Sequence, residues 1–366
     1  MKNILHLIDT TGPGGAETIF IELSDRLRSD RCKSVVVIRG PGWVRDMLVN
    51  RGFTPHIVDS KGSFNFNYLR QLVKIIRKEK IELIQAHLLG ASVYACLAGF
   101  LTRTPVIAIL HGVVDFNEER LLNVKFLVLN KFASKIVLVS KDLLKQLKER
   151  VSINESKLSI IYNGVDASEY ISDRKDTLKQ ELRFGADDLL IGCVGNIRPA
   201  KGYDILLEAA AILVKDVDNV KFVIVGDKKN KLYNDLIRQR EVLGLNDVVH
   251  FLGFREDIPS FLRNIDIFTM SSISEGCPVS VIEAMSSGVP MVVTDCGGLR
   301  EMVTPDESAV MCEPGSAESL YLGLKKVIDD QELRERLVYN AKEVVEERFT
   351  MEAMLSFYRK IYSEIN

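Results

Sequence analysis

Short apolar runs rich in Val, Ile and Leu alternate with amphipathic segments along almost the whole chain, and this alternation restricts the fold more than any other feature. It begins with "KNILHLID", "ETIFIELSDRLR" and "KSVVVIRG". Later runs such as "IELIQAH", "PVIAILHG" and "KIVLVS" are apolar on both faces, which is typical of strands in a parallel sheet covered by helices. The pattern predicts β-α-β units and an α/β fold.

The chain is long enough for two such sheets. Its 366 residues exceed the usual size of one hydrophobic core. A polar stretch, "ASEYISDRKDTLKQELRFGADD", interrupts the alternation, which restarts with "LLIGCVGN". We therefore predict two Rossmann-like, doubly wound parallel-sheet domains that face each other across a cleft. The predicted ranges are 1–170, 171–345 and a C-terminal helix over 346–366.

Composition excludes several classes of protein. Hydrophobic residues make up 46%, and the net charge of -2 gives no general attraction to nucleic acid. The start, "MKNILHLIDTTGPGG", lacks the pattern of a signal peptide, and Arg103 and Pro105 interrupt the best candidate for a membrane span. Without a signal-peptide pattern, we expect a cytoplasmic location. The six cysteines form no C-x-x-C pair, so we expect reduced thiols and no metal site.

Two glycine-containing turns follow predicted strands, where helix N-termini offer unpaired N–H groups to anions. The first is "TTGPGGAE", with Gly14 and Gly15 before a helix and Glu17 where a dinucleotide fingerprint has its third glycine. This turn can approach a phosphate closely. It can also be a simple chain reversal.

The second turn is "GNIRPAKGYD", which carries Arg198 and Lys201 just before a predicted helix. Two cations beside a helix N-terminus form a site for a diphosphate. Solvated surface charges are the alternative. We prefer the anion site because Gly195 and Asn196 give access to the backbone beside the two cations.

A third segment, "SEGCPVSVIEAMSSGVP", begins a helix near Pro278, since proline suits the first helical position. The N–H groups of Val279 and Ser280, with the backbone of Gly276, can donate to the same diphosphate. Glu283 lies four residues beyond Val279, or roughly 6 Å along the helix axis.

Two carboxylates flank this turn. The spacing of Glu283 matches the distance from a diphosphate to the ribose hydroxyls of a nucleotide, and a carboxylate can accept from both hydroxyls. Glu275 then faces the sugar at the other end of the diphosphate. The alternatives are a surface role for Glu275 and a helix-face charge for Glu283, although the sequence around Glu283 is mostly apolar.

The E-x7-E stretch "EGCPVSVIEAMSSGVP", together with "GNIRPAKG" and "GGAE", resembles glycosyltransferase family 4, the retaining enzymes of GT-B fold. The resemblance covers essentially the whole chain. It implies that Glu275 binds sugar hydroxyls, that Glu283 binds the ribose, and that Arg198 and Lys201 hold the diphosphate. It further implies an acceptor-binding first domain that includes the "GGAE" loop, a donor-binding second domain, and a C-terminal helix that crosses back onto the first domain.

The resemblance assigns further positions. It places His111 of "ILHGV" near the transferred sugar, with a satisfied core histidine as the alternative. It places Asn163 of "YNGVD" near the hinge, backbone contacts to the base around Arg255 of "GFREDIPSFL", and Asp227 of "VGDKKN" at the nucleotide. The sequence departs from the family here, since relatives more often have glycine-aspartate-glycine at the last of these segments.

The implied reaction is metal-independent transfer of a hexose from a UDP- or GDP-linked sugar to an acceptor hydroxyl, with retention, in glycan, polysaccharide or glycolipid synthesis. No cofactor is expected. Two alternatives remain: an NADP-dependent dehydrogenase that uses the "TGPGGAE" turn with Arg39, and a non-catalytic subunit that binds a nucleotide sugar.

The acceptor is expected to be a carbohydrate or a lipid-linked carbohydrate. Basic residues at helical spacing predict a peripheral contact with an anionic membrane surface, with ordinary solvated helix faces as the alternative. These residues are Lys74, Arg77, Lys78, Lys125, Lys131 and Lys135.

Overall fold

The computed structural model describes residues 2–28, 32–62, 64–112, 121–171, 177–228 and 231–365. The chain forms two compact units, one of residues 1–163 with 352–366 and the other of residues 164–351. The predicted boundaries lie at 170/171 and 345/346. Part of the predicted polar connection, residues 172–176, lies outside the described residues, as do Lys229 and Asn230 of "VGDKKN".

The first unit contains a seven-stranded parallel sheet in the order β3-β2-β1-β4-β5-β6-β7. Its strands are β1 Lys2–Ile8, β2 Cys32–Ile38, β3 His56–Ile57, β4 Leu83–His87, β5 Val106–Leu110, β6 Lys135–Leu138 and β7 Leu158–Ile160. Its helices are α1 Gly15–Arg26, α2 Trp43–Asn50, α3 Phe66–Lys78, α4 Leu89–Thr102, α5 Leu122–Phe132 and α6 Lys141–Lys148.

The second unit contains a six-stranded parallel sheet in the order β10-β9-β8-β11-β12-β13. Its strands are β8 Leu189–Val194, β9 Val220–Val225, β10 Val249–Gly253, β11 Ile267–Met270, β12 Met291–Thr294 and β13 Val310–Cys312. Its helices are α7 Thr177–Leu182, α8 Tyr203–Leu213, α9 Lys231–Val242, α10 Ile258–Arg263, α11 Val279–Ser287, α12 Leu299–Met302, α13 Ala317–Asp329 and α14 Gln331–Val344.

Both sheets confirm the predicted doubly wound architecture. In each one the strand order reverses at the centre, between β1 and β4 and between β8 and β11. The central strands are buried on both faces, which explains why they read as continuous apolar runs. Two predicted strands are shorter than their apolar runs, since only His56–Ile57 of "TPHIVD" and Leu158–Ile160 of "LSIIYNGV" pair. Both are edge strands, with one neighbour to pair with.

The last helix, α15 Met351–Glu364, packs within the first unit. Lys2 at the start of β1 donates from Nζ to the carbonyls of Tyr362 and Ile365, at 2.9 and 2.8 Å. The Tyr362 hydroxyl donates to Gln85 Oε1 on β4. These bonds attach the end of the chain to two central strands of the first sheet. None of the helices in the described ranges has the length and apolarity that a bilayer crossing requires.

The loops after β8 and β11 approach each other so closely that only glycine fits at one contact. Gly202 has a φ of +57°, and a Cβ there would lie 2.3 Å from the carbonyl oxygen of Ser271. Ser271 Oγ donates to the Lys201 carbonyl at 2.9 Å, and the Ile273 N–H donates to the Ala200 carbonyl at 2.8 Å. The two loops therefore form one hydrogen-bonded layer.

We predict that Gly202→Ala lowers the free energy of unfolding of the second unit by roughly 3 kcal/mol or more, because it adds a backbone clash to the cost of a left-handed alanine. The matched control is Gly244→Ala. Gly244 has a φ of +70° with no atom within 4 Å of the added Cβ, so it should cost only about 1–2 kcal/mol. Urea unfolding measures both, and equal losses would contradict the close approach.

Candidate functional site

The candidate site of the second unit lies where its strand order reverses. β8 and β11 are neighbours at the centre of the sheet, and the loops that follow them carry Lys201 and Glu275. In open parallel sheets, ligands bind at this reversal, beyond the carboxyl ends of the strands. The sequence predicted both loops as phosphate- and sugar-binding segments, and the structure brings them into direct contact.

Lys201 and Glu275 form an ion pair across these loops. Lys201 Nζ lies 2.6 Å from Glu275 Oε1, and the two side chains are only 18% and 12% exposed. Ser272 Oγ donates to the same carboxylate oxygen at 2.7 Å. Glu275 Oε2 receives no hydrogen bond from any residue in the described ranges, so one oxygen of the carboxylate anchors the pair while the other is available as an acceptor.

The lysine side chain lies across the backbone at the end of β8. A Cβ on Gly195 would come within 2.9 Å of Lys201 Cε, so a larger residue there would displace the lysine. Tyr203 Oη donates to the Gly195 carbonyl at 2.6 Å, and this hydrogen bond helps to hold the turn in place. Glycine at position 195 thus leaves room for the cation. The predicted backbone access does not involve the Gly195 N–H, which donates to the Val225 carbonyl at 2.8 Å.

A third loop, after β12, supports Glu275. Gly297 has a φ of +53°, and a Cβ there would lie 2.1 Å from the Glu275 carbonyl oxygen. The Gly298 N–H donates to the same carbonyl at 3.1 Å. The segment "TDCGGLREMV" therefore holds the backbone of the glutamate in place.

Arg198 and Asn196 occupy different surroundings in the loop after β8. The Arg198 side chain is exposed and forms no ion pair with the described residues, so its guanidinium is accessible to an anion. Asn196 Oδ1 accepts from the Asp227 N–H at 2.9 Å, and the Ile197 N–H donates to the Asp227 carbonyl at 3.1 Å. Asn196 and Asp227 thus join the turns after β8 and β9.

The helix that carries Glu283 begins at Val279, with Pro278 as its N-cap residue. The prediction that Pro278 is the first helical residue is wrong by one position, because its ψ of 117° is extended. The N–H groups of Val279 and Ser280 lie in the first turn, where no intrahelical carbonyl can accept from them. Gly276 is buried in the preceding loop.

Glu283 lies in the middle of this helix and is partly buried. Tyr170 Oη donates to Glu283 Oε1 at 2.9 Å. Burial raises the pKa of Glu283 to about 7, which the Tyr170 hydrogen bond partly opposes. Tyr170 was not predicted as a site residue. The sequence feature that could have drawn attention to Tyr170 is that it is an aromatic residue within an otherwise polar connecting segment.

The side chain of Arg255 is committed to a structural role. It donates to both carboxylate oxygens of Glu181, at 2.6 and 3.1 Å, and to both of Asp257, at 2.9 and 2.7 Å. The Arg255 hydrogen bonds hold the pKa of Asp257 below its usual value. The predicted contacts with a nucleotide base are backbone contacts around Arg255, and the side-chain hydrogen bonds leave that prediction as it stands.

In the first unit, Gly14 is the N-cap residue of α1 and Gly15 is its first helical residue. Glu17, in the first turn, is 7% exposed, and its carboxylate forms no hydrogen bond or ion pair with the described residues. A negative charge is favourable at this end of a helix. Asn163 is buried and is the last residue of the first part of this unit.

His111 ends a chain of hydrogen-bonded polar side chains within the first unit. His111 Nε2 lies 3.0 Å from His87 Nδ1, and His87 Nε2 lies 3.1 Å from Gln85 Nε2. Gln85 is the residue that Tyr362 of α15 contacts. Burial lowers the pKa of His111 to about 4, so the ring is neutral at pH 7. The sequence could have indicated this pair, because His87 ends β4 and His111 directly follows β5, and these two strands are neighbours in the sheet.

Within the described ranges, no three His, Cys, Asp or Glu side chains form a group that could hold a metal ion. At the central reversal of the second sheet, Lys201, Arg198 and the first turn of α11 could bind an anion.

Two family models match the chain. The model described as glycosyl transferases group 1 matches residues 174–344, and the model described as glycosyltransferase family 4 matches residues 13–169. The chain belongs to glycosyltransferase family 4 and has the GT-B fold.

Named relatives cover most of the chain. It is 30% identical over 278 residues to the UDP-Gal:alpha-D-GlcNAc-diphosphoundecaprenol alpha-1,3-galactosyltransferase of Escherichia coli, covering 72% of this chain and 71% of the relative. It is 24% identical, over 82% of each chain, to an N,N'-diacetylbacillosaminyl-diphospho-undecaprenol alpha-1,3-N-acetylgalactosaminyltransferase of Campylobacter jejuni. The crystal structure of Anabaena HepE in complex with UDP-glucose matches over the full length of both chains, with 25% identity and a TM-score of 0.92.

We predict that Glu283→Gln becomes more stable relative to the wild type as the pH rises. A carboxyl whose folded pKa is raised to about 7 holds its proton in the folded state at pH values where the unfolded chain has lost it. The wild type therefore loses stability between about pH 4.5 and pH 7, whereas glutamine cannot ionise. The difference in unfolding free energy should shift by on the order of 2 kcal/mol between pH 5 and pH 8.

Urea unfolding at both pH values measures this difference, with Glu241→Gln as the matched substitution at an exposed carboxylate. A difference between Glu283→Gln and the wild type that is the same at pH 5 and pH 8 would contradict the raised pKa.

Proposed function

We propose that the protein is a retaining glycosyltransferase that moves a hexose from UDP to a hydroxyl of a carbohydrate or lipid-linked acceptor. The observation that carries this proposal is the Lys201–Glu275 ion pair at the central reversal of the second sheet. A cation for the diphosphate and an acceptor oxygen for sugar hydroxyls are adjacent there. The UDP-glucose complex of HepE and the UDP-Gal specificity in the name of the E. coli relative support the choice of donor.

Transfer requires stabilisation of the negative charge that develops on the departing diphosphate. Lys201 and the exposed Arg198 supply positive charge, and the first turn of α11 supplies N–H donors at Val279 and Ser280. These groups can act without a metal ion. Because the Lys201 ammonium has three N–H donors, it can bind a phosphate oxygen while it keeps its bond to Glu275.

The two carboxylates then have separate roles. Glu275, with one oxygen held by Lys201 and Ser272, accepts from hydroxyls of the transferred sugar through its second oxygen. Glu283 accepts from the ribose hydroxyls, together with or in place of the Tyr170 hydroxyl. His111 is proposed to lie near the transferred sugar as a neutral ring.

The bond changes are those of a front-face displacement. The acceptor oxygen forms a bond to the anomeric carbon while the bond from that carbon to the diphosphate oxygen breaks. The acceptor proton passes to the departing phosphate oxygen, and the new bond keeps the configuration of the old one. This course is supported by family membership and by the assignment of Glu275 to binding rather than attack.

The dehydrogenase alternative has lost its basis, since the chain belongs to a glycosyltransferase family. Turnover distinguishes the proposed enzyme from a non-catalytic subunit, because only the enzyme releases sugar from the donor. We expect the purified protein to release free hexose slowly from at least one UDP-hexose in the absence of acceptor, and to be protected against heat by UDP. Protection by GDP and not by UDP would assign a GDP-linked donor in place of a UDP-linked one. Protection by UDP without any release of free hexose would favour the non-catalytic subunit.

We predict that Lys201→Met lowers kcat/KM for this release by about 10²–10³, the usual loss when one group that stabilises developing charge is removed. The matched control is Lys215→Met, at an exposed lysine beyond the end of α8. Initial rates over a range of donor concentrations measure both variants. If Lys201→Met and Lys215→Met released hexose with the same kcat/KM, Lys201 would have no role in the mechanism.

A further inference from the structure

Three polar side chains follow one another inside the first unit. Successive side chains of a strand point to opposite faces of the sheet, so Gln85 and His87, two residues apart on β4, lie on the same face. Ile109 on β5 is the register partner of His87, and His111 lies two residues beyond Ile109. We call Gln85, His87 and His111 the polar row.

The polar row lies in apolar surroundings. Gln85 and His87 are fully buried, the other three residues of β4 are apolar, and so is every residue of β5. Buried polar atoms destabilise a fold unless they have hydrogen-bond partners. The partners of these side chains therefore decide in which orientation and protonation state each of them can be held.

The two histidines at the end of the row meet edge to edge. His87 Nδ1 lies 3.0 Å from His111 Nε2. The ring centroids are 5.1 Å apart and the ring planes differ by 19°. This centroid distance is close to the sum of the nitrogen–nitrogen distance and the two ring radii, so both nitrogens lie almost on the line between the centroids. The rings are thus nearly coplanar, and one nitrogen donates to the other.

The direction of these hydrogen bonds is set at the other end of the row. The Tyr362 hydroxyl of α15 contacts Gln85 Oε1. Burial raises the pKa of Tyr362, so the hydroxyl keeps its proton, and Gln85 is its acceptor among the described residues. Because the hydroxyl donates to Oε1, the Gln85 amide is oriented with Nε2 toward His87.

The tautomers of both histidines follow from this orientation. Gln85 Nε2 can only donate, so His87 Nε2, 3.1 Å away, is an acceptor. Burial lowers the pKa of His87 well below its ordinary value, so the neutral ring carries its one proton on Nδ1 and donates it to His111 Nε2. Burial also lowers the pKa of His111 to about 4. Its single proton is then on Nδ1.

The free edge of the His111 ring is available to a ligand. His111 Nδ1 forms no hydrogen bond with a residue in the described ranges, and the side chain is partly exposed. In a free histidine side chain the Nε2–H tautomer is the more stable form. The polar row thus selects the less stable tautomer of His111, which a histidine without these partners would not favour.

We propose that Gln85 and His87 are positioning residues which, with Tyr362, hold His111 as the Nδ1–H tautomer, so that the ring presents an N–H donor to the transferred sugar. The other tautomer would present a lone pair, which accepts from a hydroxyl but cannot donate to one. A donor fixed before the sugar binds needs no rearrangement when it binds. The inference rests on the proposed function, which puts that sugar near His111.

The tautomer can be read directly from long-range ¹H–¹⁵N correlation spectra of the full chain labelled with ¹⁵N-histidine, recorded at pH 7 without ligand. The chain has five histidines, and the His111 signals are those absent from the spectrum of His111→Phe. We expect the wild type to show a protonated Nδ1 and an unprotonated Nε2 at His111. A protonated Nε2 would overturn the inference.

One pair of variants tests the role of His87. His87→Phe keeps a ring beside Phe20, whose centroid lies 5.2 Å from that of His87, but removes both nitrogens. We expect His111 to change to the Nε2–H form. The matched control is His6→Phe, at a buried histidine on β1 whose register partner is Gln85 and which forms no hydrogen bond to the polar row. It should leave the His111 tautomer unchanged.

A second pair tests the start of the row. Tyr362→Phe removes the hydroxyl that orients Gln85, so the Nδ1–H fraction of His111 should fall. Tyr358→Phe removes a hydroxyl from another buried tyrosine of α15 that forms no hydrogen bond to the polar row, and it should have no effect. Equal His111 tautomers in the wild type, His87→Phe and Tyr362→Phe would overturn the inference.

Kinetics connect the tautomer to the sugar. His87→Phe should lower kcat for release of free hexose by about three- to tenfold, as for the loss of one neutral hydrogen bond. UDP binding should be unchanged, because UDP lacks the transferred sugar, and it shows that the variant is folded. The same kcat in His87→Phe and His6→Phe would contradict the positioning role.

The spectra do not require turnover, so the two proposals can fail separately. The Nδ1–H tautomer in a chain that releases no hexose from any UDP-hexose would support the hydrogen-bond direction and reject the proposed function. Release of hexose by a chain with Nε2–H at His111 would do the reverse.

Discussion

The contact between Lys201 and Glu275 is the constraint on which the second unit's site depends. A lysine and a carboxylate that are 18% and 12% exposed lose much of their hydration, and the contact between them offsets part of that cost. Their positions are fixed by backbone, since Gly195 leaves room for the lysine and Gly297 for the glutamate. The pair therefore places positive charge and a hydrogen-bond acceptor next to each other, which is the preorganisation that the proposed transfer would use.

The glycines around the pair show how a parallel sheet becomes a binding site. Gly202 and Gly297 adopt positive φ values and sit against carbonyls of Ser271 and Glu275. The turns after β8, β11 and β12 are thereby packed against one another, and a side chain at either glycine would separate them. The site is consequently a property of three loops held in contact, and its charges would not converge if any of the three relaxed.

The fold followed largely from the sequence, because the apolar runs of central parallel strands are long and continuous. The edge strands β3 and β7 were overestimated, since an apolar run does not reveal whether a second neighbour is present to pair with. Lys201 and Glu275 were predicted as site residues from their turns, but their pairing was not predicted, because it depends on a contact between loops 74 residues apart. Arg255 is engaged by Glu181 and Asp257, and Tyr170 lies on Glu283. The Arg255–Glu181 and Tyr170–Glu283 contacts join residues 74 and 113 positions apart, so the sequence does not reveal these pairings.

The most direct test of the central claim is calorimetric titration of UDP into the wild type, Lys201→Met and Glu275→Gln. If Lys201 holds the diphosphate and Glu275 competes for the same ammonium, Lys201→Met should weaken UDP binding by about tenfold or more. This is the effect of losing one charge-assisted hydrogen bond of roughly 1.5–3 kcal/mol. Glu275→Gln should leave UDP binding unchanged or tighten it, because the cation loses its competing partner. Unchanged UDP affinity in Lys201→Met, or an equal loss in both variants, would contradict the account.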